Sequence, residues 1–230
     1  MRVHRYRQPA ALGQGVANAL VNHAALDQRT LRLCMSDGLG DVCAAISAAA
    51  AGNPKMRRLD LWWSNDCFVD VTDPARVSTR TLAALGTLRL AANHIHPMPT
   101  PSGNPDVDAA AIAYAAELGD TPFDLTILMV GDDGRVAGLK PGSPTFQRTT
   151  HRVLGVRDSQ HERLTLSLHT LAASTEVWFV AIGEAVAPLL PQVLEGDDAL
   201  PAGVLRGRQN TKMFVDEAAA AQLLRHICEL

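Results

Sequence analysis

The chain has 230 residues, of which 47% are hydrophobic and 20% are charged; this composition is ordinary for a globular protein and excludes a disordered one. Its formal charge is −3 at pH 7, so no bulk field draws it to nucleic acid or to an anionic membrane. A chain of this length can bury enough apolar surface to fold as one domain, residues 1–230, without a covalent or metal staple.

The four cysteines form no CxxC pair and no zinc-ligand spacing, so they are typical of reduced packing residues in a cytosolic protein. The basic N-terminal segment MRVHRYRQP leads into no apolar signal core. No run approaches the ~20 apolar residues that a membrane helix requires. The sequence therefore predicts a soluble cytoplasmic protein with no metal site and no membrane partner.

Apolar runs alternate with helical patterns along the first half of the chain. In chain order we expect a helix at 10–28, a strand at 31–35, a helix at 41–51, a strand at 59–63, and a turn at 72–75 into a helix that runs towards residue 92. The next segment, 93–106, contains four prolines and is predicted to be a loop.

The second half continues the alternation. We expect a helix at 107–118, a strand at 123–130, mainly loop and edge up to residue 162, strands at 163–168 and 177–182, and helices at 184–194 and 216–227. This order favours an α/β fold in which a mostly parallel sheet is covered by helices on both faces.

Three junctions that follow predicted strands carry polar and glycine residues: 36–40, 63–68 and 131–142. Because the carboxyl ends of parallel strands lie along one edge of the sheet, ligands bind at that edge. We therefore expect the three junctions to converge on one pocket, although they are far apart in the sequence.

The loop Ser36-Asp37-Gly38 joins a strand to a helix, where backbone amides can cradle an anion such as phosphate. On this evidence alone, a simple helix cap is the better explanation of the same residues. Asp133 lies in the turn GDDG after the most apolar strand; it can orient a general base or accept a substrate hydroxyl, or be a solvated turn carboxylate.

Asp66 follows Trp62 and Trp63 at a strand end and is kept as a polar site candidate. His94 and His96 lie in the proline-rich loop, where a solvated or hydrogen-bonding role is more common than a catalytic one. Arg163 can hold a phosphate, although a surface ion pair is the commoner role of an arginine.

Four segments, in order, carry a resemblance to a known family. They are HIHPM at 94–98, DAAAIAY at 108–114, FDLTILMVGDDGRVAGLKPG at 123–142 and RLTLSL at 163–168. Together they resemble the 6-phosphogluconolactonase family, within the group that includes glucosamine-6-phosphate deaminases. The family's corresponding motifs are V-H-P, A-A-x-x-Y, an apolar strand followed by G-x-D-G-H-x-A-S-L-F-P-G, and R-I-T-L-T. Further similarity at 177–183, 201–202 and 216–219 extends the match over nearly the whole chain.

The resemblance implies a Rossmann-like three-layer α/β/α fold of the NagB/RpiA-like type. It also implies hydrolysis of 6-phospho-D-glucono-1,5-lactone to 6-phosphogluconate in the oxidative pentose phosphate pathway, without metal or cofactor. The expected partner is a small-molecule sugar phosphate, and the expected assembly is a monomer or homodimer. The catalytic candidates are Asp133 and Arg135; the substrate-binding candidates are Ser36, Asp37, Gly38, Asp66, Lys140 and Arg163.

The chain departs from the family at chemically demanding positions. Arg135 stands where the family has its catalytic histidine, and a guanidinium with a pKa above ~12 cannot accept a proton from water. Cys67 and Val186 replace a phosphate-binding arginine and a lysine, and Asp37 and Asp41 place negative charge at the presumed phosphate loop.

Three functions remain open at this point. A divergent lactonase would use Asp133 or a loop histidine such as His96 as its base. A non-catalytic relative would bind a sugar phosphate or a protein partner on the same scaffold. A sugar-phosphate isomerase or deaminase is disfavoured, because that group's own acid and base residues are missing from the Gly131 motif.

Overall fold

The structure is a computed structural model that describes residues 1–26, 29–51, 53–86, 88, 90–157, 161–207, 210–224 and 228–229. Its strands are β1 Arg2–Tyr6, β2 Leu31–Met35, β3 Leu59–Trp63, β4 Asn65–Cys67, β5 Ile95–His96, β6 Leu125–Met129, β7 Val153–Arg157, β8 Glu162–Leu166, β9 Glu176–Ala181, β10 Thr211–Asp216 and β11 Cys228–Glu229. Its α-helices are α1 Pro9–Leu26, α2 Gly40–Ala49, α3 Val77–Leu85, α4 Val107–Leu118, α5 Leu168–Ala172, α6 Leu190–Glu195 and α7 Pro201–Arg206. Short 3-10 helices occupy Pro54–Arg57, Ala92–His94, Pro101–Gly103, Pro144–Phe146, Glu184–Leu189 and Ala219–Gln222.

Within the described residues, eight strands form one parallel sheet in the order β11-β1-β10-β9-β6-β2-β3-β5. Every residue of β9 is buried, as expected for a parallel strand covered on both faces. One hydrophobic core spans the sheet and the helices, from Val3 to Leu223. The predicted α/β/α class with a mostly parallel sheet is confirmed.

The chain leaves the centre of this sheet in two directions. From β2 it continues outward to β3 and β5, whereas from β6 it continues to β9 and β10 on the other side. The carboxyl ends of β2 and β6 therefore flank the point where the strand order reverses, which is where open α/β sheets bind ligands.

A second, antiparallel sheet of β4, β8 and β7 lies beside this point. One residue, Ser64, separates β3 from β4, and its amide donates to the Met35 carbonyl at the end of β2. Cys67 in β4 lies opposite Arg163 in β8. The small sheet thus brings residue 163 to the carboxyl edge of the large sheet.

Several sequence predictions are confirmed with the same bounds: the strands Leu31–Met35 and Leu59–Trp63 and the helix Val107–Leu118. The predicted helix at 216–227 is wrong. Asp216 ends β10, and the chain continues into the 3-10 helix Ala219–Gln222, while 225–227 lie outside the described residues. Residue 216 ends a strand buried between β1 and β9 instead of starting a helix, and its side chain accepts the Ala219 amide at 2.8 Å in the turn that follows.

We expect Tyr114→Phe to lower the free energy of unfolding by about 1–2 kcal/mol, the cost of leaving a buried donor unsatisfied. The Tyr114 hydroxyl is buried, accepts from the Trp63 amide at 3.1 Å and lies 3.1 Å from the His96 carbonyl. It thereby ties α4 to β3 and β5. Urea denaturation measures the change. The control is Ile112→Ala on the same helix, where the side chain is 72% exposed; an equal loss in both variants would contradict the assignment.

Candidate functional site

A cleft lies at the carboxyl ends of β2 and β6. Its centre is a cavity of about 200 Å³ lined by Ser36, Asp37, Gly38, Asn65, Met129, Gly131, Arg135, Ala137 and Arg163. The residues come from the three junctions at 36–40, 63–68 and 131–142 and from β6 and β8. The expected convergence of the three junctions is confirmed.

Two further cavities continue the cleft. One, of about 670 Å³, shares Asn65, Arg135, Ala137 and Arg163 with the centre and extends to Lys140, Ser143, Thr145 and Arg157. The other, of about 260 Å³, shares Asp37 and Gly38 and extends to Arg80 on α3. We call the three together the cleft.

The loop after β2 is fixed by contacts with β6. The Met129 amide donates to the Ser36 hydroxyl at 2.8 Å. Gly38 has a φ of 81°, and a Cβ added to it would lie 3.1 Å from the Met129 Cγ. Both the left-handed backbone and the close approach favour glycine at this position.

Asp37 closes its own loop. Its Oδ1 accepts the Gly38 amide at 2.7 Å and Arg80 Nη2 at 2.8 Å. Its backbone amide faces Asn65 Oδ1 at 3.3 Å. The loop amides that were expected to bind an anion therefore contact protein side chains instead. The Gly38 amide contacts Asp37, and the Asp37 amide contacts Asn65. Arg80 was not predicted as a site residue, because no motif in the sequence links a residue of α3 to residue 37.

Asp133 and Arg135 form a close pair at the other wall. Arg135 Nε donates to Asp133 Oδ1 at 2.8 Å and to Oδ2 at 3.0 Å, and the Arg135 amide donates to Oδ1 at 3.1 Å. Lys140 Nζ lies 3.9 Å from Asp133 Oδ2. Partial burial raises the pKa of Asp133, but the hydrogen bonds and charge of Arg135, helped by Lys140, outweigh it, so the pKa falls below the ordinary value.

Basic side chains outnumber acidic ones in the lining of the cleft. Among its described residues, five are basic and one is acidic: Arg80, Arg135, Lys140, Arg157 and Arg163 against Asp37. Part of this charge is balanced by Asp133 behind Arg135 and by Asp108 and Glu162, which pair with Arg157 at 2.7 and 3.3 Å. The excess of cations is suited to an anionic ligand.

Asp66 lies outside the cleft lining and is fully buried. Its Oδ1 accepts the Cys67 and Val77 amides at 2.8 and 2.6 Å, and its Oδ2 accepts the Ser78 amide at 3.1 Å. Burial raises its pKa, against the charge of the buried Arg76 and the amide donors. Asp66 therefore caps the first turn of α3, the helix that carries Arg80. A substrate-binding position was expected for Asp66, but the structure places it at this buried helix start, away from the cleft lining.

The loop histidines also lie elsewhere. His96 is held between Asp60 at 2.9 Å and Glu117 at 2.7 Å, and its ring stacks on Trp62 at 4.0 Å between centroids. His94 contacts the same Asp60 oxygen at 3.2 Å. Neither is among the described residues that line the cleft. This geometry gives His96 no access to a ligand there.

Two findings concern the described part of the chain as a whole. It contains no group of three or more His, Cys, Asp and Glu side chains placed to hold a metal ion. None of its helices has the length and apolar character needed to cross a bilayer.

A parallel α/β sheet with a basic cleft at its strand-order reversal defines a Rossmann-like protein with a site for an anionic small molecule. The family model for glucosamine-6-phosphate isomerases/6-phosphogluconolactonase matches residues 8–214. The chain belongs to this family.

Curated relatives agree with this assignment. The chain is 36% identical over 203 residues to a 6-phosphogluconolactonase of Streptomyces coelicolor, which covers 78% of each chain. It is 30% identical over 230 residues to a 6-phosphogluconolactonase of Mycobacterium tuberculosis, which covers 93% of each.

Solved structures share the fold. A 6-phosphogluconolactonase from Trypanosoma brucei superimposes with a TM-score of 0.85 at 20% identity over 97% of this chain and 98% of that chain. A monomeric glucosamine-6-phosphate deaminase superimposes with a TM-score of 0.80 at 16% identity over 96% of this chain and all of that chain.

We expect Asp66→Asn to lower the free energy of unfolding by about 3 kcal/mol, because it leaves the buried Arg76 without its carboxylate partner. Arg76 Nη1 lies 3.9 Å from Asp66 Oδ2, and both side chains are at most 2% exposed. Urea denaturation measures the loss. A variant with unchanged stability and impaired ligand binding would instead show that Asp66 has the substrate-binding role expected from the sequence.

Proposed function

We propose that the protein hydrolyses 6-phospho-D-glucono-1,5-lactone to 6-phosphogluconate in the cleft. The observation that carries the proposal is the basic lining at the reversal point of the sheet, to which Arg80, Arg135, Lys140 and Arg163 all contribute. The relatives named 6-phosphogluconolactonase, which match most of the chain, support the same substrate.

In this reaction water adds to the lactone carbonyl carbon, the bond from that carbon to the ring oxygen breaks, and the ring oxygen takes up a proton. The demand on the protein is to stabilise the negative charge that develops on the carbonyl oxygen. Arg135 is suited to this task because its guanidinium lines the cleft and is held in place by Asp133. A guanidinium keeps its charge at every working pH.

Asp133 then has two tasks. It orients Arg135 through Nε. It lies behind Arg135 rather than in the lining of the cleft, but its side chain is 27% exposed, and we propose that this carboxylate accepts the proton of the attacking water. Because Arg135 and Lys140 lower its pKa, it is a weaker base than a histidine with a pKa near ~6.5. We therefore propose a slow lactonase rather than one of full family efficiency.

Ser36, Gly38 and Arg163 are proposed to hold the substrate at the opposite wall. Gly38 lines the cavity at the end of β2, where its amide donates to Asp37 Oδ1, and Arg163 of β8 lines the same cavity. Lys140 lies in the wider part of the cleft next to Asp133. A sugar acid placed between these walls has its carbonyl at Arg135 and its phosphate at the loop after β2.

A second function is favoured by one specific observation. The position of the family's histidine holds Arg135, and no histidine is among the described residues that line the cleft. A relative that binds a sugar phosphate without turnover would tolerate both changes. The two candidates make opposite predictions for hydrolysis by the purified protein.

We expect the purified protein to release acid from 6-phospho-D-glucono-1,5-lactone faster than buffer does, and Arg135→His to raise kcat by about 10²–10⁴, the usual contribution of a general base. A pH-stat records the acid released. Arg135→Ala is the control, because it removes the cation without adding a base, and it should lower the rate. Hydrolysis no faster than in buffer would end the lactonase proposal and leave the binding function.

The pH dependence separates a carboxylate from a histidine. The lowered pKa of Asp133 keeps it ionised down to below about pH 4, its ordinary range. With the rate in buffer subtracted, kcat at saturating lactone should therefore show no acid limb between about pH 5 and 8, and it should fall only as the pH drops through the lowered pKa. Arg135→His should introduce a limb near ~6.5. A limb near that value in the unaltered protein would point to a histidine base.

We also propose that the enzyme works in the cytoplasm as a monomer or homodimer. Cys34, Cys43 and Cys67 are free and buried, which supports a reducing compartment. Burial raises the pKa of Cys43 to about 12, so this thiol is unreactive at neutral pH.

A further inference from the structure

We propose that Arg80 is the cation that binds the substrate's phosphate in this chain, and that Asp37 is the resident counter-ion that the phosphate displaces. The proposal deepens the function proposed above and rests on it for the identity of the phosphorylated ligand. It assigns a specificity-determining role to a helix residue outside every motif singled out in the sequence.

The position of one oxygen atom carries the argument. Asp37 Oδ1 accepts hydrogen bonds from the Gly38 amide at 2.7 Å and from Arg80 Nη2 at 2.8 Å. Two donors from different elements, the loop after β2 and helix α3, therefore converge on a single anionic oxygen. The carboxylate oxygen of Asp37 stands in for a phosphate oxygen at that point.

A phosphate can displace Asp37 from Arg80 at low cost because this ion pair is exposed. The side chains of Arg80 and Asp37 are 51% and 43% exposed, and exposed ion pairs contribute little to stability. A phosphate offers more charge and more acceptor oxygens than one carboxylate, and arginine binds it with two parallel hydrogen bonds. Rotation of the Asp37 side chain releases both donors without a change in the backbone.

Arg80 also compensates for a lost cation. Cys67 stands at the position where the 6-phosphogluconolactonase family has a phosphate-binding arginine, and its thiol is buried. The charges of Arg163, Asp37 and Arg80 all act on this thiol, so Arg80 is close to the place that the missing arginine would serve. Helix α3 brings it there, and Asp66 fixes the start of that helix.

The test compares two ligands that differ only in the phosphate: 6-phosphogluconate and gluconate, measured by calorimetry. Arg80→Gln should weaken binding of 6-phosphogluconate about 10-fold or more, as expected for the loss of a charged hydrogen bond, and leave gluconate binding unchanged. Asp37→Asn should tighten 6-phosphogluconate binding several-fold. That gain should shrink when Arg80→Gln is also present.

A matched control lies at the other end of the sheet. Arg29 Nη2 is 2.8 Å from Asp124 Oδ1. This arginine–aspartate pair has the same distance as the Arg80–Asp37 pair, but it lies next to the start of β6 and not next to its end. Arg29→Gln should leave the binding of both ligands unchanged. This control shows whether any loss is specific to the position of residue 80 or follows from lowering the net positive charge.

The proposal is overturned if Arg80→Gln weakens both ligands equally, if Asp37→Asn has no effect or weakens 6-phosphogluconate, or if neither the unaltered protein nor Asp37→Asn binds 6-phosphogluconate. It survives the failure of the lactonase function, because binding that depends on Arg80 without hydrolysis would identify a non-catalytic sugar-phosphate binder. Conversely, hydrolysis of the lactone with a KM that Arg80→Gln does not change would reject this proposal alone.

Discussion

The hydrogen bond from the Met129 amide to the Ser36 hydroxyl joins the ends of β2 and β6 at 2.8 Å. These are the two strands between which the chain reverses its direction across the sheet. The gap there is the space that no crossover helix fills, and the bond fixes its two walls relative to each other. On one wall lies the loop that carries Gly38, and on the other the turn that carries Arg135.

The charges on these walls are arranged differently from the family pattern, yet they remain suited to an anion. Cys67 and Val186 are both buried and supply no cation. Arg135 enters from the turn after β6, and Arg80 enters from α3. Because the Asp133 carboxylate holds Arg135 through two contacts to Nε, that guanidinium is already positioned when a substrate binds, which reduces the entropy lost on binding.

The sequence predicted the sheet class, the central strands and the convergence of the three junctions, because continuous apolar runs and glycine-rich strand ends are local signals. It missed β1 and β4: β1 buries Val3 alone and shows no continuous apolar run, and β4 has only three residues. The burial of Asp66 and the contact of Arg80 with Asp37 depend on how α3 packs against the strand ends. Such long-range contacts leave no periodic pattern in the chain. The motifs therefore predicted several residues that line the cleft, but neither the burial of Asp66 nor the partners of the lining residues.

The replacement of a histidine by Arg135 sets two requirements of lactone hydrolysis against each other. In the mechanism proposed above, the Asp133 carboxylate binds Arg135 closely, through Nε contacts at 2.8 and 3.0 Å, and thereby aims it at the developing oxyanion. The same contacts lower the pKa of Asp133 and thereby weaken the carboxylate that must accept a proton from water. A stronger pair improves the oxyanion contact at the expense of the base, so no adjustment of the Asp133–Arg135 distance alone restores both. A titratable group in place of the guanidinium relieves the conflict, because it can act as the base while Asp133 only orients it.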